Sequence, residues 1–254
     1  MSVALTLFLI YVLFFITGAF VGSFINRVTC RLPLHIPIFK GRSFCPNCGK
    51  RLAFYDTIPL ISFIWLGGQC RRCGTRIAPR YFLTELVGGI IAVVSVLRFG
   101  FNPEAAVSFL AAEALLAIGL SAKDNMRPAW PLLLFFVLPV ALSGFAFMEP
   151  ALQNRFIGVF AVAVPLFGLH FIMKDMIEKE DVFLIATGGW LLGWQGVVAA
   201  IVIAFILAIL LLLLHVLRKQ IDRPVQLTPC ICVGIFLVLY LGTDLVSIYW
   251  QFLQ

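Results

Sequence analysis

Charge is what this chain has least of. Only 12% of its 254 residues are Asp, Glu, Lys or Arg, with 12 acids in all and 3 histidines. A water-soluble domain of this length has no room to hide the apolar surface that remains, so a soluble globular fold is excluded. No stretch interleaves aromatic and basic residues in the manner of a nucleic-acid module, so a formal charge of +7 does not point to nucleic acid as a partner. No glycine-rich strand–turn–helix fingerprint is present, so the sequence itself marks no nucleotide site. Internal repeats and low-complexity tracts are absent as well. The first basic residue is Arg27, beyond the first apolar run, so that run lacks the basic leader of a cleaved signal and reads as a retained anchor.

What is there is hydrocarbon. The chain is 62% hydrophobic with a mean hydropathy of +1.05. Uncharged runs fall at 3–25, 82–98, 105–122, 131–148, 156–173, 182–195, 197–217 and 230–252. Most approach the ~20 residues that a spanning helix needs. The expected fold is therefore an all-α polytopic membrane protein of about eight transmembrane helices. The sixth run is short and carries Gly188, Gly189 and Gly193, and its border with the seventh is placed at Gly196. Basic residues orient the array. With residues 27–81 cytoplasmic, 17 of the 19 Lys and Arg fall on the cytoplasmic side and only Arg98 and Arg155 on the other.

The layout is then a first transmembrane helix (1–26), a cytoplasmic insert (27–81) and a membrane domain (82–254). The insert carries Cys45-Pro46-Asn47-Cys48-Gly49 and Cys70-Arg71-Arg72-Cys73-Gly74, two Cys-x-x-Cys knuckles separated by 21 residues. Two thiolates two residues apart grip one ion from a tight turn, and the following Gly permits the backbone that the turn requires. Cys45, Cys48, Cys70 and Cys73 are the expected ligands of a structural Zn²⁺ in a small zinc-ribbon-like insert. A reducing cytosol keeps such thiols free for metal. Cys30, Cys230 and Cys232 lie at or within apolar runs and read as small buried hydrophobes.

With so few acids, the position of each carries information. Asp124 follows the third run and Asp181 opens the sixth, so both lie at cytoplasmic helix ends and at similar depth. Brought together, two carboxyls can share one proton and activate water, because like charges ~3 Å apart cannot both ionise. Solvated loop charges are the competing reading, and Asp175, Glu178 and Glu180 are equally eligible on spacing alone. Glu113 sits near the middle of the third run, as part of a polar interior or as a neutral acid in one interhelical hydrogen bond.

Motif order chooses among these. Gly22-Ser23-Phe24-Ile25-Asn26 leads to Arg31-Leu32-Pro33. The two knuckles follow, with Pro59-Leu60-Ile61-Ser62 between them, and then Arg80-Tyr81-Phe82-Leu83-Thr84-Glu85. Asp124 precedes Pro131, Asp181-Val182 precedes Gly189, and Thr228-Pro229 precedes Gly234. In that order the chain resembles the type IV prepilin peptidases, membrane aspartic proteases of the GxGD type, over nearly its whole length. The resemblance implies a membrane aspartic endopeptidase with Asp124 and Asp181 as its catalytic pair. It implies removal of the basic leader from membrane-inserted prepilin or pseudopilin precursors at the cytoplasmic face of a bacterial inner membrane. It also implies N-methylation of the new terminus with S-adenosylmethionine, a second activity associated with the cysteine-bearing insert.

The departures cluster at the second acid. Glu178-Lys179-Glu180 stand where the family has Gly-x-Gly, and Phe183 stands where a Lys is common. Backbone freedom and a compensating positive charge are thereby lost beside Asp181. Two alternatives follow from the residues: a proteolytically inactive relative acting as a zinc-bearing scaffold or methyltransferase only, and a small transporter built on Glu113 and the glycine-interrupted sixth run. Survival of both aspartates in register favours the peptidase.

Overall fold

In hydrocarbon every backbone N–H and C=O has to be satisfied within the chain, so the uncharged runs have helix as their available form. A computed structural model of the protein describes residues 2–32, 35–38, 43–45, 47–125, 130–147, 150–172, 178–218 and 226–253, with the backbone alone for 123–125, 169–172 and 243–253. Its helices are α1 (Val3–Arg31), α2 (Ile61–Trp65), α3 (Pro79–Phe99), α4 (Pro103–Asn125), α5 (Trp130–Ala146), α6 (Leu152–Ile172), α7 (Lys179–Leu217) and α8 (Leu227–Leu253). Among the described residues there is no strand, only two isolated antiparallel bridges in the insert. Helices α1, α3, α4 and α7 are each long and apolar enough to cross a membrane, and α5, α6 and α8 carry shorter apolar stretches. The chain is a helical membrane protein. Pro33, Pro46 and Asp175 lie outside the described residues.

The fold divides into two units, Met1–Gly100 and Phe101–Gln254. In the first, α1 and α3 pack antiparallel through small residues. Gly18 abuts the Gly88 carbonyl, and a Cβ on Gly22 would stand 2.7 Å from the Thr84 carbonyl oxygen, too close for any larger residue. Close backbone approach of this kind replaces the hydrophobic drive that lipid does not supply. One turn further, Asn26 Nδ2 donates to the Tyr81 carbonyl at 3.1 Å. Helix α1 continues to Arg31, whose Nη1 donates to the carbonyls of Pro37 and Ile38 at 3.0 and 3.1 Å. Cys30 departs from its expectation as a small hydrophobe. Its sulfur lies 3.1 Å from both the Tyr81 hydroxyl and Arg80 Nη2, a polar contact created by α3 packing alongside.

In the second unit α4 packs on α5 and α8, and α7 packs on α5, α6 and α8. Helix α7 is not one straight rod. Gly193 has φ 73° and ψ 176°, outside the helical region. Thr228 of α8 meets Asp181, Ile235 lies against Gly188 and Val238 against Gly196, but Gly234 then lies against Ala200 and Ala204. Sixteen residues of unbroken helix rise about 24 Å, yet Gly188 and Ala204 both touch adjacent residues of α8. The chain therefore doubles back at Gly193, and its halves correspond to the sixth and seventh expected runs. The break falls at Gly193 and not Gly196, because Gly193 takes the positive φ while packing on Pro150.

Two ionisable side chains, Arg155 and Glu113, are buried in this unit, and the first ties it together. Arg155, read from the sequence as a loop charge, is only 1% exposed. Its guanidinium donates to the carbonyls of Pro150, Phe147 and Trp190 and to Ser143 Oγ, at 2.8 to 3.3 Å. It ties the α5–α6 connection to the last turn before the Gly193 break. Glu113 is 1% exposed on α4, and neither of its oxygens has a hydrogen-bond partner among the described residues, unlike the interhelical bond expected of a neutral acid.

Candidate active site and metal centre

Asp181 lies in the first turn of α7, where the unpaired N–H groups of a helix start favour negative charge. It is 2% exposed, and its Oδ1 accepts a 2.6 Å hydrogen bond from the hydroxyl of Thr228, itself buried in the first turn of α8. Glu178 forms the N-cap with extended backbone (φ −83°, ψ 154°), and its carbonyl accepts from the Asp181 N–H at 3.1 Å. The lost Gly-x-Gly therefore needs no left-handed backbone, since Glu178 adopts an angle open to any residue. Phe183 is half-buried and packs edge-on against Trp130, the first residue of α5, with centroids 5.7 Å apart. An aromatic contact occupies the place of the absent Lys.

The side chain of Asp124 is outside the described residues, but its helix is fixed. Gly119 of α4 packs on Cys232 and on the Cα of Pro229, with built Cβ distances of 3.7 and 3.9 Å. Pro229 adjoins Thr228, the partner of Asp181. Five further residues of α4, about 7.5 Å of rise, reach Asp124 in the last turn before Asn125. The α4 terminus and the α7 start thus belong to the same end of this unit. Glu178 and Glu180 are half-buried, whereas Asp181 is buried and bonded to Thr228. Thr228 was visible in the sequence only as part of a motif echo. A hydrogen bond spanning 47 residues leaves no local signature.

The second centre is in the first unit. Each knuckle is a tight hairpin: Gly49 N donates to Cys45 O and Gly74 N to Cys70 O, at 2.8 and 2.9 Å, beside the Phe44–Arg51 and Gln69–Arg76 bridges. Gly49 and Gly74 have φ +68° and +70° with open space around them, so backbone conformation alone demands glycine there. The sulfurs of Cys45, Cys48, Cys70 and Cys73 all lie within 4.8 Å of one another, with no disulfide among them. Cys45 Sγ is 3.8 Å from Cys73 Sγ, matching the ~3.8 Å edge of a tetrahedron with ~2.3 Å metal–sulfur bonds. The Thr75 hydroxyl and backbone, followed by the Asn47 amide, stabilise the Cys73 thiolate and hold its pKa down at about 6. Glu85 Oε2 accepts from the Leu60 N–H at 2.8 Å, holding a residue with φ +62° and linking the insert to α3.

Fold and sites together define a polytopic helical membrane protein with a buried acid at a helix start and a tetrathiol cluster, able to hold a metal ion, in an insert between its first two long helices. Residues 16–99 match the family model described as the bacterial peptidase A24 N-terminal domain, and the chain belongs to the prepilin leader peptidase/N-methyltransferase family of enzymes. Proteins of that name include one from Klebsiella pneumoniae, 32% identical over 202 residues covering 71% of this chain and 84% of the relative. One from Bacillus subtilis is 28% identical, covering 92% of this chain and 96% of the relative. One from Myxococcus xanthus is 31% identical over 75% of this chain, which spans 58% of that relative's length. No solved structure matches the chain.

Proposed function

We propose that the chain is a membrane aspartic endopeptidase that removes the basic leader from type IV prepilin-like precursors at the cytoplasmic face of a bacterial inner membrane. Its reacting groups are Asp124 and Asp181. One carboxylate takes a proton from water as the oxygen attacks the scissile carbonyl carbon. The other, protonated, delivers a proton to the departing amine as the C–N bond breaks. A pair of this kind acts through bound water without a covalent enzyme intermediate, and titrates as a unit. The observation that carries the reading is the buried Asp181, oriented by Thr228 on the end of the unit that also holds the terminus of α4.

The substrate presents an apolar helix whose backbone is closed to attack until unwound, so cleavage belongs at a membrane edge, where water also reaches the acids. The layout proposed is helix 1–26, cytoplasmic insert 27–81 and membrane peptidase domain 82–254. Cys45, Cys48, Cys70 and Cys73 hold Zn²⁺, whose binding supplies folding energy to an insert with little core of its own. The new terminal amine is then N-methylated with S-adenosylmethionine as donor.

The test is cleavage of a membrane-inserted prepilin by the purified chain in lipid, beside Asp124→Asn and Asp181→Asn. Loss of cleavage in both variants, with their melting transitions retained, supports the pair. Cleavage that survives Asp181→Asn moves the second acid to Asp175, Glu178 or Glu180. No cleavage by the native chain supports the scaffold or methyltransferase-only alternative.

A further inference from the structure

The insert carries large apolar side chains on its outside. Phe54, Ile61, Ile64 and Trp65 are 84, 60, 69 and 79% exposed. Helix α2 has two unlike faces. Ser62 and Phe63 line a cavity of about 560 Å³ within the first unit, whose wall also includes Cys45 and Cys70. Phe63 meets Phe82 of α3, with ring centres 5.2 Å apart, whereas Ile61, Ile64 and Trp65 point away. Phe54 opens the short turn Phe54–Thr57, which packs on α2. Exposed apolar residues scattered singly need no explanation, but a run of them on one small element marks a membrane or partner site.

Helix α1 sets the level of this patch. It is long and apolar enough to cross the membrane, and little of its apolar stretch is buried by the rest of the chain. Phe20, Phe24 and Arg27 follow at spacings of four and three, so they share one exposed stripe of the helix. The stripe passes from rings to the first charge of the chain, which marks where hydrocarbon gives way to headgroups. A groove of about 270 Å³ joins it to the insert, with Phe20, Phe24 and Arg27 on one side and Phe54, Thr57 and Ile58 on the other. Phe54 therefore stands at that boundary. Next to Phe82, Leu83 begins a second exposed stripe, continued on α3 by Val87 and Ile90. The patch thus extends a surface already turned to lipid.

Charge agrees with position. Residues 27–81 hold ten Lys and Arg against one acid, Asp56. Asp56 pairs with Arg71 at 2.9 Å, while Arg27, Arg51, Arg72 and Arg76 form no ion pair with any described residue. An element with apolar rings on one face and free guanidinium groups beside them has the make-up of one that lies in the membrane interface.

We infer that the insert docks on the bilayer, with Phe54, Ile61, Ile64 and Trp65 entering the headgroup–acyl boundary beside α1 and the unpaired arginines among lipid phosphates. The inference goes beyond the peptidase reading and does not depend on it, since it uses only the first unit and the membrane-crossing α1. Trp65 then acts as an interfacial anchor. The competing occupant is a precursor substrate, whose apolar helix suits the patch but whose basic leader the arginines repel.

The test is quenching of tryptophan emission by phosphatidylcholine brominated at a known depth of its acyl chain, with the zinc-loaded full chain in nanodiscs. The samples are the native protein, Trp65→Phe and the double variant Ile61→Lys/Ile64→Lys, with zinc content and melting transition measured on each. The emission lost in Trp65→Phe isolates Trp65 from the other tryptophans. The expected result is that bromines near the carbonyl end quench Trp65 roughly twofold or more, bromines near the chain ends quench it less, and the double lysine variant loses the effect. Trp65 emission that neither lipid quenches overturns the docking, and shielding of Trp65 on addition of a prepilin would then assign the patch to substrate. Equal quenching in the native chain and a folded double variant overturns the role given to the patch. Should the double variant lose its zinc or its melting transition, the native depth profile decides alone.

Discussion

Replacing Thr228 by Val removes one hydroxyl from a buried pair and changes little else in volume. In the native chain that hydroxyl donates to Asp181 Oδ1 at 2.6 Å, with both residues almost wholly buried. A hydrogen bond to a charged group contributes ~1.5–3 kcal/mol, and each ~1.4 kcal/mol is tenfold in rate. If the bond orients the carboxyl for its work on water, Thr228→Val lowers kcat/KM for leader cleavage by roughly 10- to 100-fold. The fall belongs in kcat, because Thr228 touches Asp181 and is not assigned to substrate binding. Thr228→Ser keeps the donor and loses only a methyl group, so it recovers most of the lost activity. The assay is steady-state cleavage of a lipid-inserted prepilin, with the melting transition followed in parallel. Native kcat/KM in Thr228→Val refutes the reasoning, as does a Ser variant no better than Val.

Other expectations follow from the same geometry. Thr75→Val withdraws the principal hydrogen bond that keeps the Cys73 pKa near 6, so that thiol binds protons at higher pH and its metal is released at higher pH; zinc release to a chromophoric chelator across a pH series reads the shift. Gly49→Ala and Gly74→Ala meet no steric obstacle but place a Cβ at left-handed φ, costing ~1–2 kcal/mol each; competition titration should show zinc affinity weakened about 5- to 30-fold. Arg155→Met withdraws the guanidinium donor from three carbonyls of a buried cluster, while Ser143 Oγ keeps its bond to the Val140 carbonyl; at ~1–3 kcal/mol for each group left unpaired, it should lower the melting temperature markedly. Gly22→Leu drives a side chain into the Thr84 carbonyl and should separate α1 from α3, seen as faster proteolysis of the insert.

The sequence disclosed what is local and hid what is long-range. Hydropathy located the helices because an uncharged run of ~20 residues has one stable form in lipid. Spacing located the tetrathiol cluster because each knuckle is five residues long and carries its own turn glycine. By contrast, four glycines lie between 188 and 196, and only packing against Pro150 and Gly158 selects Gly193 as the reversal. Arg155 counted as a loop charge until the carbonyls around it were in place. Thr228 and Asn26 drew notice through motif order, yet their roles depend on partners 47 and 55 residues away. The departures at Glu178 and Phe183 read as losses in sequence, whereas in space one starts the helix from extended backbone without a side-chain cap bond and the other makes an aromatic contact.

Cys45 and Cys70 face two ways: they belong to the thiol cluster, and they also form part of the cavity wall. Asp181 lies in the other unit of the chain. If the cluster holds a metal ion as proposed, its loss slackens the knuckles and takes that wall with them, while the helices around Asp181 keep their packing. A chain stripped of a metal held there would lose the shape of the insert while keeping its buried acid in place, so the two parts of the molecule can fail separately.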